Sequence, residues 1–318
     1  MRIRRRRAMR WAAGSAVLLV GTRVRFPVPA AAQEVARAAS PIREVGTGRS
    51  LEEAELFARL AGADCVPVGE THDNPEHHRI QARVVRELAA RPPGVGAVAF
   101  EMLTVDRQPL VDRMLRGPGA DLDAFAEAVG WEESGWPDFT IYEPIFAAAL
   151  ESGARVLAAD LASGTTARIR REGFAALDPG FVRRTGLDQP LPPELEAGLS
   201  DALARAHCDR LPASALPGLL RVQRARDAMM ADRIARFRGR GRVVLITGNG
   251  HARRDWGVPY YLRRMVPERT VVSLGLIERG DGRDGVAARE PFDIVWFTVA
   301  PVRGRGDPCD AIGGSAGG

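Results

Sequence analysis

The chain alternates short, continuously apolar runs with longer segments in which apolar residues recur every three or four positions. Runs of the first kind are typical of strands that are buried on both faces of a sheet. Six runs predict strands: Asp64–Gly69, Gly96–Phe100, Arg155–Ala159, Arg242–Thr247, Thr270–Leu276 and Asp293–Val299.

Segments between these runs have the spacing of helices that bury one face. The best pattern is Pro75–Ala90, whose apolar face carries Ile80, Val84, Val85 and Leu88. Two further helices are predicted at Tyr142–Ser152, before Gly153, and at Leu216–Phe237. Alternation of strands and helices predicts an α/β fold with a mostly parallel central sheet flanked by helices.

Two stretches interrupt this alternation. Residues 104–140 and about 163–215 contain helical or loop-like patterns and no convincing strand, so we expect helical insertions that form a small helical subdomain. The predicted α/β domain spans residues 33–303. Residues 304–318 are rich in Gly, Asp and Pro and predict a flexible tail.

Residues 1–32 resemble a targeting leader. A basic run, Arg2–Arg10, precedes the apolar stretch Trp11–Gly21, and Ala30–Ala32 fits a small-residue cleavage site. The apolar stretch is shorter than the roughly 20 residues that span a bilayer. We therefore expect export to the periplasm or cell envelope. No Cys follows the apolar stretch, so a lipid-anchored Cys is not supported.

The net charge of +5 comes from this leader. Eight Arg and no acidic residue precede residue 33, and without them 37 basic residues face 40 acidic ones. A mildly acidic body argues against a nucleic-acid-binding protein. All basic residues are Arg, which excludes a catalytic Lys and a Walker-type phosphate loop.

The chain has three cysteines, and none forms a C-x-x-C motif. Cys65 lies in an apolar run and is expected to be a buried small hydrophobe. Cys208 and Cys309 could pair in an exported protein.

Polar residues follow three of the predicted strands. Glu70 and His72 follow the first, Glu101 the second and His251 the fourth. Ligands bind at the carboxyl ends of parallel strands, so these four residues are expected to line one site. Asp160, after the third strand, would join the same rim.

Two chemistries remain open for this set. His72, Glu101 and His251 could hold a divalent metal. Alternatively, Glu70, His72, Glu101 and His251 could perform acid–base catalysis without one. The simpler alternative is that each His caps a helix or bonds within its loop.

Residues on two helices could support this site. Either His77 or His78, at the start of the first helix, could face it, but not both, because adjacent helical residues point about 100° apart. Gln223 and Asp227 share a helix face with Met230 and Ala231, where polar groups could orient a strand-end His. His207 is expected at the surface.

Aromatic residues cluster in two places. Trp131, Trp136, Phe139 and Tyr142 form one cluster, and Trp256, Tyr260 and Tyr261 form the other. Such clusters fit either core packing or an apolar slot for a flat ligand. Arg253 and Arg254, beside the second cluster, could meet carboxylates.

Together these motifs resemble the ChaN-like haem-binding uptake family of the Tiki/TraB superfamily. The resemblance rests on Gly69-Glu70-Thr71-His72-Asp73-Asn74 with His78 and Gln81, on Glu101, on the Gln223–Ala231 helix face, and on Gly248-Asn249-Gly250-His251 followed by Gly257-Val258-Pro259. It extends over about residues 45–300.

The resemblance implies an exported protein of iron acquisition that binds pairs of haems face to face in a homodimer. Ferric haem takes a Tyr, His or Cys axial ligand, so Tyr142, Tyr260 and Tyr261 are candidates, and a neutral His or an Arg could meet the propionates. The candidate haem contacts are His72, His78, Tyr142, His251, Arg253 and Tyr260. Elsewhere in the superfamily the two Gly-x-x-His motifs and a Glu belong to hydrolase sites, so a hydrolase is the alternative.

Overall fold

A computed structural model describes residues 40–117, 119–279 and 290–301. Their core is an eight-stranded sheet with the strand order β2-β1-β8-β7-β3-β6-β4-β5. The strands are β1 Ile42–Glu44, β2 Ser50–Leu51, β3 Cys65–Glu70, β4 Val95–Thr104, β5 Arg155–Asp160, β6 Arg242–Gly248, β7 Leu274–Arg279 and β8 Ile294–Val299.

The six longer strands pair in parallel, which confirms the predicted α/β fold with a mostly parallel sheet. Only β1 is antiparallel to its neighbours, β2 and β8. Two strands differ from their predicted bounds by more than one residue. Strand β4 continues to Thr104, beyond a register shift that follows Phe100. Strand β7 begins at Leu274 and not at Thr270, because the preceding residues make only an isolated bridge, between Val271 and Cys65.

Helices cover both faces of this sheet. They are α1 Glu53–Ala61, α2 Pro75–Ala89, α3 Gln108–Met114, α4 Leu122–Val129, α5 Phe139–Glu151, α6 Thr165–Glu172, α7 Pro179–Thr185, α8 Pro193–Ala206, α9 Leu216–Ala235, α10 Asn249–Ala252 and α11 Val258–Met265. The three helices predicted from periodicity correspond to α2, α5 and α9. Short 3₁₀ turns lie at Val105–Arg107, Glu132–Ser134 and Gly173–Ala176.

Alternate residues of the central strands enter two different cores. On β6, Val244 and Ile246 pack with one apolar cluster, while Val243 and Leu245 pack with the other. The first cluster contains the buried faces of α2 and α5, and the second contains that of α9. This double burial explains why the strands read as continuous apolar runs.

The start of α2 shows how the first polar motif is fixed. Asn74 is the N-cap, and its side-chain oxygen accepts hydrogen bonds from the backbone N–H groups of Glu76 and His77. Pro75 occupies the first helical turn, where its missing N–H costs nothing. The Asn74 amide also donates to Glu278 Oε1 at 2.6 Å, which ties the motif to β7.

The described parts of residues 105–140 and 163–215 contain helices and turns and no strand. The domain boundaries, and a separate subdomain in particular, stay predictions. Within the three described ranges, no helix is both long and apolar enough to cross a bilayer. The predicted leader, the predicted tail and Cys309 lie outside the described residues, so the pairing of Cys208 with Cys309 also stays a prediction.

Candidate functional site

The carboxyl ends of three neighbouring strands form the floor of a cleft. Glu70 ends β3 and is in register with Gly248, which ends β6. Glu101 lies in β4, one residue after the pair that joins Phe100 to Ile246 of β6. His72 and His251 follow in the adjoining loop and in α10. The structure therefore brings the four predicted strand-end residues to one cleft.

The cleft encloses about 400 Å³ and has walls of two characters. Its floor is polar and includes Gln223 and Arg226 of α9 in addition to the strand-end residues. One wall is the apolar face of α8, and two indole rings complete the lining. The apolar lining residues are Trp136, Leu199, Ala202, Leu203, Ala206 and Trp256.

Glu70 is the centre of the first polar cluster. Its side chain is fully buried, and Oε1 accepts hydrogen bonds from His72 Nδ1 at 2.9 Å and from the Tyr142 hydroxyl at 2.8 Å. The other oxygen, Oε2, lies 3.1 Å from Nε2 of the fully buried His78. Side chains from the loop after β3, from α2 and from α5 thus meet at one carboxylate.

This cluster favours a charged carboxylate. Burial alone raises the pKa of Glu70, but the hydrogen bond from His72 and the close approach of His78 outweigh burial and hold the pKa below its usual value. Burial lowers the pKa of His72, but Glu70 and Glu101 outweigh that effect and raise it. For Tyr142, burial and the negative charge of Glu70 both raise the pKa of the hydroxyl.

Glu101 is the centre of the second cluster. Its Oε1 accepts a hydrogen bond from Arg226 Nη2 at 2.8 Å, and its Oε2 accepts from the Thr247 hydroxyl at 2.5 Å and the Gly248 N–H at 2.7 Å. Arg226 also binds both carboxylate oxygens of Asp160, so the end of β5 joins the rim as predicted. Burial raises the pKa of Glu101, but the charges of His251 and Arg226 lower it well below its usual value.

His251 is held by the helix that the sequence suggested. Its Nδ1 donates to Asp227 Oδ1 at 2.7 Å, and Gln223 Nε2 lies 3.0 Å from the same nitrogen. Its Nε2 lies 3.4 Å from Glu101 Oε1. Burial raises the pKa of Asp227 to about 6 despite the opposing effect of His251. Burial lowers the pKa of His251, but the charges of Glu101 and Asp227 outweigh this effect and raise the pKa.

Glycines at the strand ends allow close packing in the cleft. A Cβ at Gly248 would lie 2.8 Å from both Cε1 and Nε2 of His72, so only a residue without a side chain leaves that ring its position. At Gly69, a Cβ would overlap Asn249 Oδ1. The Asn249 amide donates to Leu276 O at 2.7 Å, which anchors the second Gly-x-x-His turn to β7.

Other predicted residues lie outside the cleft lining. His77 accepts from the Thr71 N–H and donates to the Thr298 hydroxyl, so it is a structural residue. Arg253 binds both oxygens of Asp255 and stacks 3.3 Å from the centroid of the Trp256 ring. Tyr260 accepts from Arg264 Nη1 at 3.1 Å. The haem-binding roles of Arg253 and Tyr260 therefore stay predictions.

The described side chains give the predicted metal site no support. Throughout the part of the chain that the structure describes, no group of three or more His, Cys, Asp or Glu residues has the arrangement needed to hold a metal ion. The physical reason is visible at Glu101, because both of its oxygens already accept hydrogen bonds.

Sequence reasoning missed Arg226, Thr247 and the α8 wall. Arg226 could have been predicted, because it lies three residues after Gln223 and one before Asp227, close to the helix face that the sequence already indicated. The α8 wall could not have been predicted, because its spacing of small and apolar residues is also that of an ordinary core-facing helix.

Comparison with known proteins was made by sequence and by structure. Residues 56–262 match the family described as "Haem-binding uptake, Tiki superfamily, ChaN". No curated protein matches the sequence. Among solved structures, ChaN of Campylobacter jejuni with cofacial haem is 20% identical, with a TM-score of 0.65, and the match covers 80% of this chain and 94% of that one.

Two more distant folds also match. The type III effector HopBA1 is 14% identical, with a TM-score of 0.45 and coverage of 77% of this chain and 92% of that one. An erythromycin esterase mutant, EreC, is 14% identical, with a TM-score of 0.43 and coverage of 80% and 81%. At 20% identity the Campylobacter jejuni structure shows the fold alone, and the two structures with TM-scores below 0.5 support no further conclusion.

Proposed function

The chain belongs to the ChaN family of haem-binding uptake proteins in the Tiki superfamily, and we propose that it is an exported haem-binding protein that takes part in haem and iron uptake. The observation that carries the proposal is the composition of the cleft at the carboxyl ends of β3, β4 and β6. That cleft joins a polar, hydrogen-bonding floor to an apolar wall.

This composition fits haem. The ligand is a flat apolar ring that carries an iron and two carboxylates. Leu199, Leu203 and Trp256 offer apolar contact to the ring, and Gln223 offers an amide to a propionate. A volume of about 400 Å³ lies within the range of about 300–1,000 Å³ usual for ligand pockets. Bound haem would supply an iron that accepts an axial side chain.

The residues we assign to haem differ in their access to it. His72 and His251 line the cleft, so they can contact the ligand directly. Arg253 lies on the face of Trp256, at the border of the cleft, where it could meet a propionate. Tyr142 and His78 are buried beneath Glu70 and support the floor.

We further propose a homodimer in the cell envelope. The basic and apolar leader of residues 1–32 supports export, and the cofacial haem pair of Campylobacter jejuni ChaN supports a dimer with two facing haems. Sedimentation with and without hemin tests the dimer, and N-terminal sequencing of protein from the native host tests removal of the leader. A hemin-loaded monomer, or a chain that starts at residue 1 in the cytosol, would contradict these two parts.

Hemin titration tests the haem-binding part. We expect a Soret band that shifts from the position of free hemin and saturates at one hemin per chain. Titration of heat-unfolded protein is the control for nonspecific uptake. Absorbance that rises without saturation, as with the unfolded control, would contradict haem binding.

A hydrolase is the second candidate, and one observation favours it. Two carboxylate–imidazole pairs, Glu70 with His72 and Asp227 with His251, face the same cleft, as acid–base catalysis requires. The test is turnover of ester and peptide substrates by the wild type and by His251→Ala. Turnover that disappears in the variant, together with no saturable hemin binding, would establish the hydrolase in place of the carrier.

A further inference from the structure

We infer that a cavity between the ends of α6 and α8 and the start of α9 binds a small phosphate monoester that carries an apolar substituent. The cavity encloses about 430 Å³, and no described residue lines both it and the haem cleft. The inference is therefore independent of the proposed haem-binding function. Its lining residues are Arg170, His207, Leu211, Ser214, Ala215, Gly218, Leu219 and Arg221.

Two arginines give this cavity its positive charge. Arg170 lies in the last turn of α6 and is exposed, whereas Arg221 lies in the second turn of α9 and is partly buried. Among the residues that the structure describes, neither guanidinium has a hydrogen-bond or ion-pair partner, and no acidic side chain lines the cavity. Two cations that share a cavity without a carboxylate attract an anion to it.

Arg221 has a polar group that requires a partner. Its Nε is shielded from solvent, yet it makes no hydrogen bond within the described part of the chain. Arg242 also has a buried, unbonded Nε, but its two other nitrogens donate to five backbone carbonyl groups. A buried N–H of a charged group is costly to leave unbonded, so the Arg221 guanidinium is suited to an acceptor that comes from a ligand.

The contact between α6 and α9 fixes the stems of both arginines. Arg170 Cγ lies 3.6 Å from the position that a Cβ of Gly218 would occupy, and Arg221 Cδ lies 3.7 Å from the corresponding position at Gly173. Gly218 belongs to α9 and Gly173 directly follows α6, so each arginine packs against the segment that carries the other. Because the stems are already packed, a ligand has less side-chain entropy to remove.

His207 and Ser214 complete the polar lining of the cavity. His207 Nδ1 lies 2.8 Å from the carbonyl oxygen of Leu203, so Nδ1 is the donor and Nε2 is left for a ligand. This nitrogen can donate to a phosphate oxygen when the ring is charged, and can accept from a protonated one when the ring is neutral. The first turn of α9 carries no acidic residue, so the positive end of its dipole adds to the same field.

These groups fit a phosphate monoester better than a carboxylate. The phosphate dianion balances the charge of both arginines, and its three terminal oxygens offer more acceptors than the two oxygens of a carboxylate. Leu211, Ala215 and Leu219 form the apolar part of the lining, which fits a substituent on the fourth oxygen. A soluble monoester and the headgroup of phosphatidic acid in a membrane both have this chemistry.

The test titrates the full chain with phenyl phosphate in a calorimeter, in parallel with inorganic phosphate and with phenol. We expect one phenyl phosphate per chain, bound at least about tenfold more tightly than inorganic phosphate because its ring contacts the apolar lining. Phenol alone should show no saturable binding. Arg170→Gln and Arg221→Gln should each weaken phenyl phosphate binding at least about tenfold, because each removes a charged donor.

Arg113→Gln is the matched control. Arg113 is an exposed residue of α3 and is not part of the cavity lining, so this variant should keep the wild-type affinity. Arg170→Gln decides the question if Arg221→Gln does not fold, because the Arg170 side chain is exposed. The proposal is overturned if phenyl phosphate binds no better than inorganic phosphate, if the folded cavity variants bind it as the wild type does, or if Arg113→Gln loses as much affinity.

Vesicles distinguish the two sources of the phosphate group. The chain is sedimented with phosphatidylcholine vesicles that contain or lack phosphatidic acid. Capture that requires phosphatidic acid, is reversed by phenyl phosphate and is lost in Arg170→Gln supports a lipid headgroup. Saturable phenyl phosphate binding without capture supports a soluble monoester. Capture that Arg170→Gln retains, together with no saturable phenyl phosphate binding, overturns the site.

Discussion

His72 Nδ1 donates a hydrogen bond of 2.9 Å to Glu70 Oε1, although only Thr71 separates the two residues in the chain. The bond forms because β3 ends at Glu70 and the chain turns there, so that the His72 ring lies over Gly248 of the neighbouring strand. The carboxylate is inside the protein and the ring is at its surface. The buried carboxylate therefore fixes the orientation of a side chain that faces the cleft.

Glu70→Gln should destabilise the protein and weaken hemin binding together. The amide keeps the shape of the side chain but loses the charge to which His72 and the Tyr142 hydroxyl donate. We expect a loss of about 1–3 kcal/mol in the free energy of unfolding, and a weaker affinity for hemin because His72 lines the cleft. Urea unfolding and hemin titration measure the two effects.

Glu76→Gln is the matched control for this substitution. Glu76 lies on the first turn of α2, and its exposed carboxylate pairs with Arg79 at 3.1 Å. Exposed ion pairs contribute little, so the change should stay within about 0.5 kcal/mol and leave hemin affinity unaltered. Equal losses in the two variants would contradict the special role of the buried pair.

Tyr142→Phe should reduce stability while leaving the type of haem spectrum unchanged. The phenyl ring keeps its packing against His78 and Trp131, but Glu70 loses a 2.8 Å donor. We expect a cost of about 1–3 kcal/mol in urea unfolding. Tyr261→Phe, whose hydroxyl accepts only a 3.4 Å bond from Arg224, should cost less. Loss of the wild-type haem spectrum in Tyr142→Phe would indicate a tyrosine ligand.

Gly248→Ala should impair hemin binding more than folding. The backbone at Gly248 has φ −65°, which alanine adopts readily, but the new methyl group would lie 2.8 Å from the His72 ring. The ring, which is partly exposed, must move away and take Nε2 with it. Hemin affinity should fall at least about tenfold, or ~1.4 kcal/mol.

Gly250→Ala provides the comparison, because the nearest atom to its added methyl group would be Gln223 Nε2 at 4.0 Å. This variant should bind hemin as the wild type does. If both alanine variants bind equally well, the placement of the His72 ring does not control haem binding.

Glu101→Gln should reveal a pH-dependent contribution to stability. Burial alone would raise the pKa of Glu101. The charges of His251 and Arg226 lower it by more than burial raises it, so the folded pKa lies below the ordinary value of 4.5. A group with a lowered folded pKa stabilises the protein above its unfolded pKa, and this stabilisation is lost as the pH falls through the folded pKa. Removal of the charge also leaves Arg226 with one buried partner fewer.

We therefore expect wild type and Glu101→Gln to differ by about 3–5 kcal/mol near pH 6, the usual cost of breaking a buried pair. The difference should shrink below pH 4.5. The stability difference should also shrink at higher pH as His251 loses its proton, because Glu101 helps raise the pKa of His251 above 6.5. Urea unfolding across pH checks this, with the exposed Glu53→Gln as control. A difference independent of pH would contradict the charge-based origin.

The sequence predicted the part of the site that follows from strand ends. Glu70, Glu101 and His251 could be placed together because each follows an apolar run, and parallel strands end at the same edge of a sheet. The helix face of Gln223 and Asp227 was recognisable because polar side chains on a buried face require partners. Strands β1 and β2 were not predicted, because three and two residues show no periodicity.

Side-chain access could not be predicted in the same way. Tyr142 and Trp136 belong to one aromatic cluster in the sequence, yet Tyr142 is buried under Glu70 and Trp136 lines the cleft. Core packing and ligand contact favour the same residue types, so only the folded chain separates them. The same holds for His72 and His78, which contact one carboxylate from the surface and from the interior.

A crystal structure of the hemin-loaded protein tests the central claim most directly. We predict haem density in the cleft between the β3, β4 and β6 strand ends and α8, with the porphyrin ring against Leu199, Leu203 and Trp256. Haem bound elsewhere, such as in the acidic cavity beside Trp131 and Glu127, would contradict it.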